Sequence, residues 1–117
     1  MNKVVKMKIK GSTWEIKFVN EIDKSDDNVL GLTLYDIKTI CVLNNLNEIL
    51  FEETLTHELL HATLYECGSD MCHDEQLIFL MTNVFNSVAD SIKTILLVQQ
   101  KETEKTLDYQ FFENKNV

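Results

Sequence analysis

The hydrophobic and polar positions of residues 4–18 alternate, which predicts two β-strands. Apolar side chains are interspersed with lysines over residues 4–10 and alternate with charged side chains over residues 14–18. A period of two places the apolar side chains on one face of a strand and the charged ones on the other. Gly11 and Ser12 separate the two stretches and favour a turn. We therefore expect a β-hairpin at the start of the chain.

Two further strands are predicted before residue 44. Residues 30–35 are largely apolar, with a strand that begins near Gly31. Residues 39–43 are β-branched and apolar, which is typical of a more buried strand. The acidic and polar residues 21–28 predict a loop between the hairpin and these strands.

The remainder of the chain has the apolar spacing of α-helices. From about Glu48 to Tyr65 apolar residues recur every three or four positions, and Gly68 indicates the end of this helix. Strands followed by helices indicate an α+β fold. A second long helix is predicted from near Asp74, with a broad apolar stripe that we expect to pack in the core: Leu77, Leu80, Met81, Val84, Phe85, Val88, Ile92, Ile95 and Leu96.

The length of the chain predicts a single domain, and its net charge argues against a nucleic-acid-binding protein. A chain of 117 residues with 44% hydrophobic residues is expected to form a single domain over residues 1–117, in which residues 101–117 could form a charged tail. The net charge of −8 argues against a nucleic-acid partner, because DNA-binding domains usually present a basic face. The lysines of the first strand are interpreted as its solvated face: Lys3, Lys6, Lys8 and Lys10.

Three features predict a cytoplasmic protein without a membrane partner. Cys41, Cys67 and Cys72 are too few and odd in number for a disulfide framework, which suits a reducing compartment. The N-terminus lacks the apolar core of a signal peptide. The most apolar stretch, residues 77–98, is interrupted by polar and charged residues that would be costly in lipid.

Candidate chemistry lies in the segment His57-Glu58-Leu59-Leu60-His61. Two histidines four residues apart share one face of a helix, about one turn apart, so both imidazoles can bind one Zn²⁺. Glu58 is placed to reach a zinc-bound water without binding the metal, and it could accept the water's proton. The HExxH spacing therefore predicts zinc-dependent hydrolysis of peptide bonds, with Glu58 as the catalytic base.

The sequence offers two candidates for the third protein ligand of the metal. A catalytic zinc site has three protein ligands and an open position. Glu75, at the start of the second helix, would approach the metal if that helix packed antiparallel to the first, while His73 is the alternative. Asp74 is expected to be an N-cap or first-turn acid. A separate zinc cluster of Cys67, Cys72 and His73 is a weaker alternative to free cysteines.

Residues 31–62 resemble the ImmA/IrrE-type small metallopeptidases, which are common in phages and mobile elements. The resemblance rests on the run Gly31-Leu32-Thr33-Leu34-Tyr35, the strand Thr39–Leu43, the segment Thr54–Ala62 that carries HExxH, and Asp74-Glu75-Gln76 at the start of an apolar helix. It implies a minimal zincin-like fold, in which a small twisted N-terminal sheet packs against the HExxH helix and a second long helix. It also implies His57, His61 and Glu75 as zinc ligands and Glu58 as the base.

Three functions remain as hypotheses. The first is a zinc endopeptidase that acts on a protein or peptide substrate, which could bind an exposed strand edge in an extended conformation. The second is a non-catalytic regulatory or interaction module that zinc stabilises. The third is a metal-free acidic interaction domain. The base Glu58 beside both histidines favours the first, because a purely structural zinc site has no use for it.

Overall fold

The computed structural model describes the backbone of residues 3–115 and the side chains of residues 3–103. It confirms the predicted α+β fold, with four strands followed by two long helices. The elements are β1 (Lys3–Ile9), β2 (Ser12–Val19), β3 (Gly31–Leu34), β4 (Thr39–Leu43), α1 (Glu48–Glu66), a short 3₁₀ helix (Asp70–His73) and α2 (Glu75–Lys115).

The four strands form one mixed sheet in the order β1-β2-β4-β3. β1 and β2 pair antiparallel, which confirms the predicted hairpin. β2 pairs parallel with β4, and β3 pairs antiparallel with β4, with Thr33 opposite Ile40. β3 therefore lies at an edge of the sheet, with one side of its backbone away from β4.

The core lies between the sheet and α1. Trp14, Ile40 and Val42 are fully buried in the sheet, and Ala62 is buried on the facing side of α1. Partly buried side chains of α1, including Phe51, pack against the same cluster. Because this packing uses one side of α1, it leaves another side of the helix available to line a cleft.

Side-chain and backbone caps set the limits of the helices. Asn47 Oδ1 accepts a hydrogen bond from the Leu50 amide at 2.9 Å and caps α1. Gly68 follows α1 with φ +75°, a conformation that a residue with a Cβ rarely adopts. Asp74 Oδ1 accepts from the Leu77 amide at 3.1 Å, so the predicted N-cap role of Asp74 is confirmed. Between α1 and α2, residues Asp70–His73 form the 3₁₀ helix, an element that the sequence analysis did not predict.

The expectation that the apolar stripe of α2 packs in the core is wrong for most of its residues. The chain divides into two compact units, Met1–Asn86 and Ser87–Val117. Ile78, beside the stripe, is fully buried in the first unit, whereas Val88, Ile92 and Ile95 in the second are 47–64% exposed. The second unit consists of α2 alone among the described residues, so it contains no facing layer to cover them.

The C-terminal segment is helical as far as the backbone is described. Residues 101–115, which the sequence assigned to a charged tail, continue α2 to Lys115. The aromatic residues near the end of this segment lie beyond the described side chains. Within the described residues, no helix combines the length and the hydrophobicity needed to span a bilayer.

Candidate metal centre

The HExxH spacing places His57 and His61 on one face of α1. Their ring centroids are 4.9 Å apart, and the two Nε2 atoms are 3.2 Å apart. Residues four positions apart lie one above the other on an α-helix, so α1 itself produces this approach. His61 is buried, while the side chain of His57 is 26% exposed. One imidazole thus lies inside the protein and the other at its surface.

Glu75 completes a group of three side chains at this point. Its Oε2 lies 3.1 Å from His57 Nε2, and its Oε1 lies 3.1 Å from His61 Nε2. The turn after Gly68 and the 3₁₀ helix return the chain to α1, and the Asp74 cap starts α2 with Glu75 in its first turn. The candidate ligand atoms of the three residues all lie within 4.8 Å of one another.

The spacing of these atoms fits the ligand shell of a zinc ion. Ligand atoms bound at 2.0–2.1 Å to a tetrahedral zinc lie about 3.3–3.4 Å from one another. The three closest separations among His57, His61 and Glu75 are 3.1–3.2 Å. Two imidazoles and one carboxylate are also a ligand set that zinc commonly uses in catalytic sites. The donors therefore match a metal in both distance and chemistry.

The hydrogen bonds of His61 determine which nitrogen it can offer to a metal. Its Nδ1 lies 2.5 Å from the Cys72 carbonyl oxygen, which can only accept, so in the neutral imidazole Nδ1 carries the proton and Nε2 offers its lone pair. The Tyr35 hydroxyl donates to the same carbonyl at 3.2 Å and lies 3.2 Å from Nδ1. Burial raises the pKa of the Tyr35 phenol to about 12, so Tyr35 remains a donor at neutral pH.

The lone pair of His61 Nε2 faces other electron-rich atoms. Its neighbours are His57 Nε2 and a Glu75 oxygen, and an ionised carboxylate can only accept hydrogen bonds. A proton on His57 Nε2 would be donated to one of these neighbours, such as Glu75 Oε2 at 3.1 Å, and the lone pair of His61 Nε2 would still lie 3.1 Å from Glu75 Oε1 with no proton between them. A bound metal ion satisfies all three atoms at once, which is the physical reason for regarding the cluster as a metal centre.

His73, the alternative third ligand, has a different position. Its ring packs edge-on against Tyr35, with the centroids 5.0 Å apart, and it lines the same cleft. It is not part of the three-residue group. Cys67 is exposed and Cys72 is buried, both with free thiols, and neither belongs to a candidate metal group among the described residues. This arrangement favours Glu75 over His73 and gives no support to the cysteine cluster.

Glu58 lies beside the three candidate ligands in a largely buried position. It is 7% exposed, and its Oε2 is 4.0 Å from His57 Nε2. Its Oε1 accepts a hydrogen bond from the Thr33 hydroxyl at 2.9 Å. Burial raises the pKa of Glu58, and the Thr33 hydrogen bond and the two histidines act in the opposite direction. The Glu58 carboxylate is close enough to contact a small molecule bound near the candidate metal ligands, without being a ligand itself.

Strand β3 approaches Glu58 closely at a glycine. A Cβ on Gly31 would lie 2.8 Å from Thr54 Cγ2 and 2.9 Å from Glu58 Cγ. Alternation along the strand places Thr33 on the same face as Gly31. The sequence indicated Gly31 only as the start of a strand and gave Thr33 and Tyr35 no role. The signal that could have found Thr33 is its position two residues after a glycine on an edge strand.

A cleft of about 520 Å³ opens over these residues. β3 and the loop before it line one side, and α1 and the first turns of α2 line the other. The Glu75 side chain is 69% exposed, so solvent and ligands can reach the centre. Apolar and small polar side chains surround the ionisable ones, including Leu30, Leu32, Leu50, Thr54, Phe79 and Thr82. Such a mixed groove can hold an extended chain.

Comparisons of the chain with protein-family models, with curated proteins and with solved structures find no match.

Proposed function

We propose that the protein is a zinc-dependent metallopeptidase that hydrolyses peptide bonds in a protein partner. The observation that carries the proposal is the convergence of His57, His61 and Glu75 beside the buried carboxylate of Glu58. Three ligands with an open, solvent-accessible side are typical of catalytic zinc sites, whereas structural sites are usually closed by four protein ligands.

Each side chain has a separate part in the proposed reaction. His57 Nε2, His61 Nε2 and the Glu75 carboxylate would hold the metal, which when bound would supply a Lewis acid that acidifies water and polarises a carbonyl. Glu58 Oε2 accepts the proton of the attacking water and later returns it to the leaving nitrogen. The Cys72 carbonyl and Tyr35 fix the orientation of His61.

The edge of β3 is the proposed binding site for an extended peptide. β4 pairs with one side of β3, and residues 31–33 of β3 line the cleft. A peptide added to this edge would gain backbone hydrogen bonds and would run past the metal ligands. Amide hydrogen exchange tests this binding mode. With a bound, uncleaved peptide, the amides of residues 31–34 should exchange more slowly, and unchanged exchange there would contradict it.

We also propose a cellular context and a family, each supported by features of the chain itself. Cys41, Cys67 and Cys72 are all free, which supports a reducing compartment such as the cytoplasm. Four features occur in the order expected of ImmA/IrrE-type metallopeptidases: a glycine-led strand, a second strand, an HExxH helix and a glutamate that opens the next helix. We therefore propose the chain as a relative of that family.

Metal analysis combined with a base variant tests the function. The purified protein, without an added metal or a metal-binding tag, should contain about one zinc per chain by mass spectrometry. It should cleave a random peptide mixture at defined bonds. Glu58→Gln should retain zinc and lose cleavage by about 10²-fold or more, because proton transfer by a positioned base contributes this much. Glu52→Gln, an exposed carboxylate on the same helix, is the matched control and should cleave normally.

The alternatives give different results in the same experiment. Zinc without cleavage, with unfolding on chelation, would indicate a zinc-stabilised regulatory module. Absence of zinc and of any thermal shift on zinc addition would indicate a metal-free interaction domain. Cleavage that persists in Glu58→Gln would contradict the assignment of Glu58 as the catalytic base.

A further inference from the structure

The two oxygens of the Glu58 carboxylate lie in different surroundings. Oε1 accepts the hydrogen bond from the Thr33 hydroxyl at 2.9 Å. Oε2 lies on the side of His57, 4.0 Å from Nε2, and would be 3.2 Å from a Cβ on Gly31. Strand β3 therefore contacts the carboxylate through a hydroxyl at one oxygen and through bare backbone near the other.

We infer that Thr33 is a positioning residue that holds Glu58 Oε1, so that Oε2 alone faces the metal ligands and acts as the base. The inference rests on the proposed function and adds to it a residue on a different element from the HExxH helix. It also assigns separate roles to the two oxygens, which the motif by itself does not distinguish.

The Thr33 hydroxyl has two acceptors within reach, and the geometry decides between them. Its oxygen lies 2.9 Å from Glu58 Oε1 and 3.3 Å from the Glu58 backbone carbonyl. A hydroxyl carries one proton, and a hydrogen bond to a charged oxygen is shorter and stronger than one to a neutral oxygen. The proton of Thr33 is therefore directed to Oε1, which fixes the rotation of the carboxylate.

The surroundings leave few alternative positions for this carboxylate. Glu58 is 7% exposed, so water does not compete strongly for Oε1. Gly31 allows β3 to approach so closely that the Glu58 stem has little space to shift towards the strand. Without the hydroxyl of Thr33, the carboxylate could rotate and present either oxygen or neither to the attacking water. A base misplaced in this way transfers protons less efficiently.

A substrate-independent probe separates positioning from simple packing. Acetohydroxamic acid chelates zinc through two oxygens and releases one proton, which the neighbouring base accepts. Its affinity for the zinc-loaded protein therefore depends on the position of Glu58, while the affinity for zinc itself does not. Both affinities are measured for the wild type, Thr33→Val, which keeps the shape of the side chain, and Thr33→Ser, which keeps the hydroxyl.

Thr33→Val should weaken acetohydroxamate binding about tenfold or more, since hydrogen bonds to charged groups contribute this much. Thr33→Ser should bind within about threefold of the wild type, and all three proteins should bind zinc equally. Adding Glu58→Gln to Thr33→Val should cause no further loss beyond that of Glu58→Gln alone. If peptide cleavage is measurable, Thr33→Val should lower kcat and leave KM unchanged.

The possible failures are distinguishable from one another. Wild-type acetohydroxamate affinity in Thr33→Val would overturn the inference and leave the proposed function intact. Equal losses of acetohydroxamate affinity in Thr33→Val and Thr33→Ser would show that Thr33 only packs β3 against α1. A matching loss of zinc affinity would show the same. A wild-type protein that binds no zinc would overturn the proposed function, and the inference with it. If Thr33→Val does not fold by circular dichroism, Thr33→Ala replaces it in the same comparison.

Discussion

Glu75 Oε1 lies 3.1 Å from His61 Nε2, and Glu75 Oε2 lies 3.1 Å from His57 Nε2. One carboxylate thus faces both histidines of the HExxH helix, although it belongs to the next helix. The first turn of α2 is therefore part of the candidate centre, and the identity of the residue at position 75 should decide whether a metal binds.

Replacement of Glu75 should weaken zinc binding much more than replacement of His73. Glu75→Ala removes one of three ligands, so we expect at least a hundredfold loss of zinc affinity. This exceeds the 10–100-fold loss of metal affinity that is typical when a residue hydrogen-bonded to a metal ligand is replaced. His73→Ala is the control and should change the affinity by less than about threefold, because His73 packs against Tyr35. Competition with a chromophoric chelator measures both, and the reverse order would make His73 the ligand.

Removal of the Tyr35 hydroxyl should loosen the orientation of His61. Tyr35→Phe deletes the donor to the Cys72 carbonyl and the contact with His61 Nδ1. We expect about tenfold weaker zinc binding and a loss of about 1 kcal/mol in the free energy of unfolding. Tyr65→Phe is the matched control, because the Tyr65 ring packs on Tyr35 while its hydroxyl makes no hydrogen bond among the described residues. Equal effects of the two variants would contradict the role of Tyr35.

A methyl group at Gly31 should destabilise the protein. The new Cβ would lie 2.8 Å from Thr54 Cγ2 and 2.9 Å from Glu58 Cγ, so Gly31→Ala forces one of them to move. We expect a loss of about 1–3 kcal/mol in the free energy of unfolding, measured by urea denaturation. Thr54→Ser removes Cγ2 and should recover part of this loss in the double variant. A double variant no more stable than Gly31→Ala would place the strain at Glu58 Cγ, and a Gly31→Ala variant as stable as the wild type would contradict the predicted clash.

The three cysteines should react with iodoacetamide at different rates. Cys67 is exposed and should be labelled first. Burial raises the pKa of the Cys41 thiol, which lowers the thiolate fraction near pH 8 and should slow its labelling. Cys72 is 3% exposed and should react only after denaturation. Peptide mapping by mass spectrometry over a time course follows all three, and early labelling of Cys72 would show that the link before α2 opens readily.

Much of the fold was predictable because it depends on local periodicity. The alternation around Trp14 and Ile16 predicts a half-buried strand, and both side chains are buried there. The strand Thr39–Leu43 has the predicted limits. Likewise, the approach of His57 to His61 follows from helical spacing alone. These features need only the geometry of a single element.

The rest of the candidate site depends on contacts between elements, which periodicity does not specify. The hydrogen bond from Thr33 to Glu58 joins residues 25 apart in the chain. The acceptor for His61 Nδ1 is the backbone carbonyl of Cys72, and a carbonyl has no signature in the sequence. The apolar stripe of α2 has the spacing of a buried helix face, and periodicity alone does not reveal whether anything covers it.

The position of Glu75 also means that a bound cation would cross-link α1 to the start of α2. A cation bound to both His61 and Glu75 would close residues 62–74 into a loop and fasten the start of α2 to α1. Closing a loop removes conformational freedom from the unfolded chain. Part of the free energy of metal binding would therefore stabilise the folded state. Chelation should therefore act first as local unfolding, releasing the 3₁₀ helix and the start of α2 while the β1–β2 hairpin stays folded.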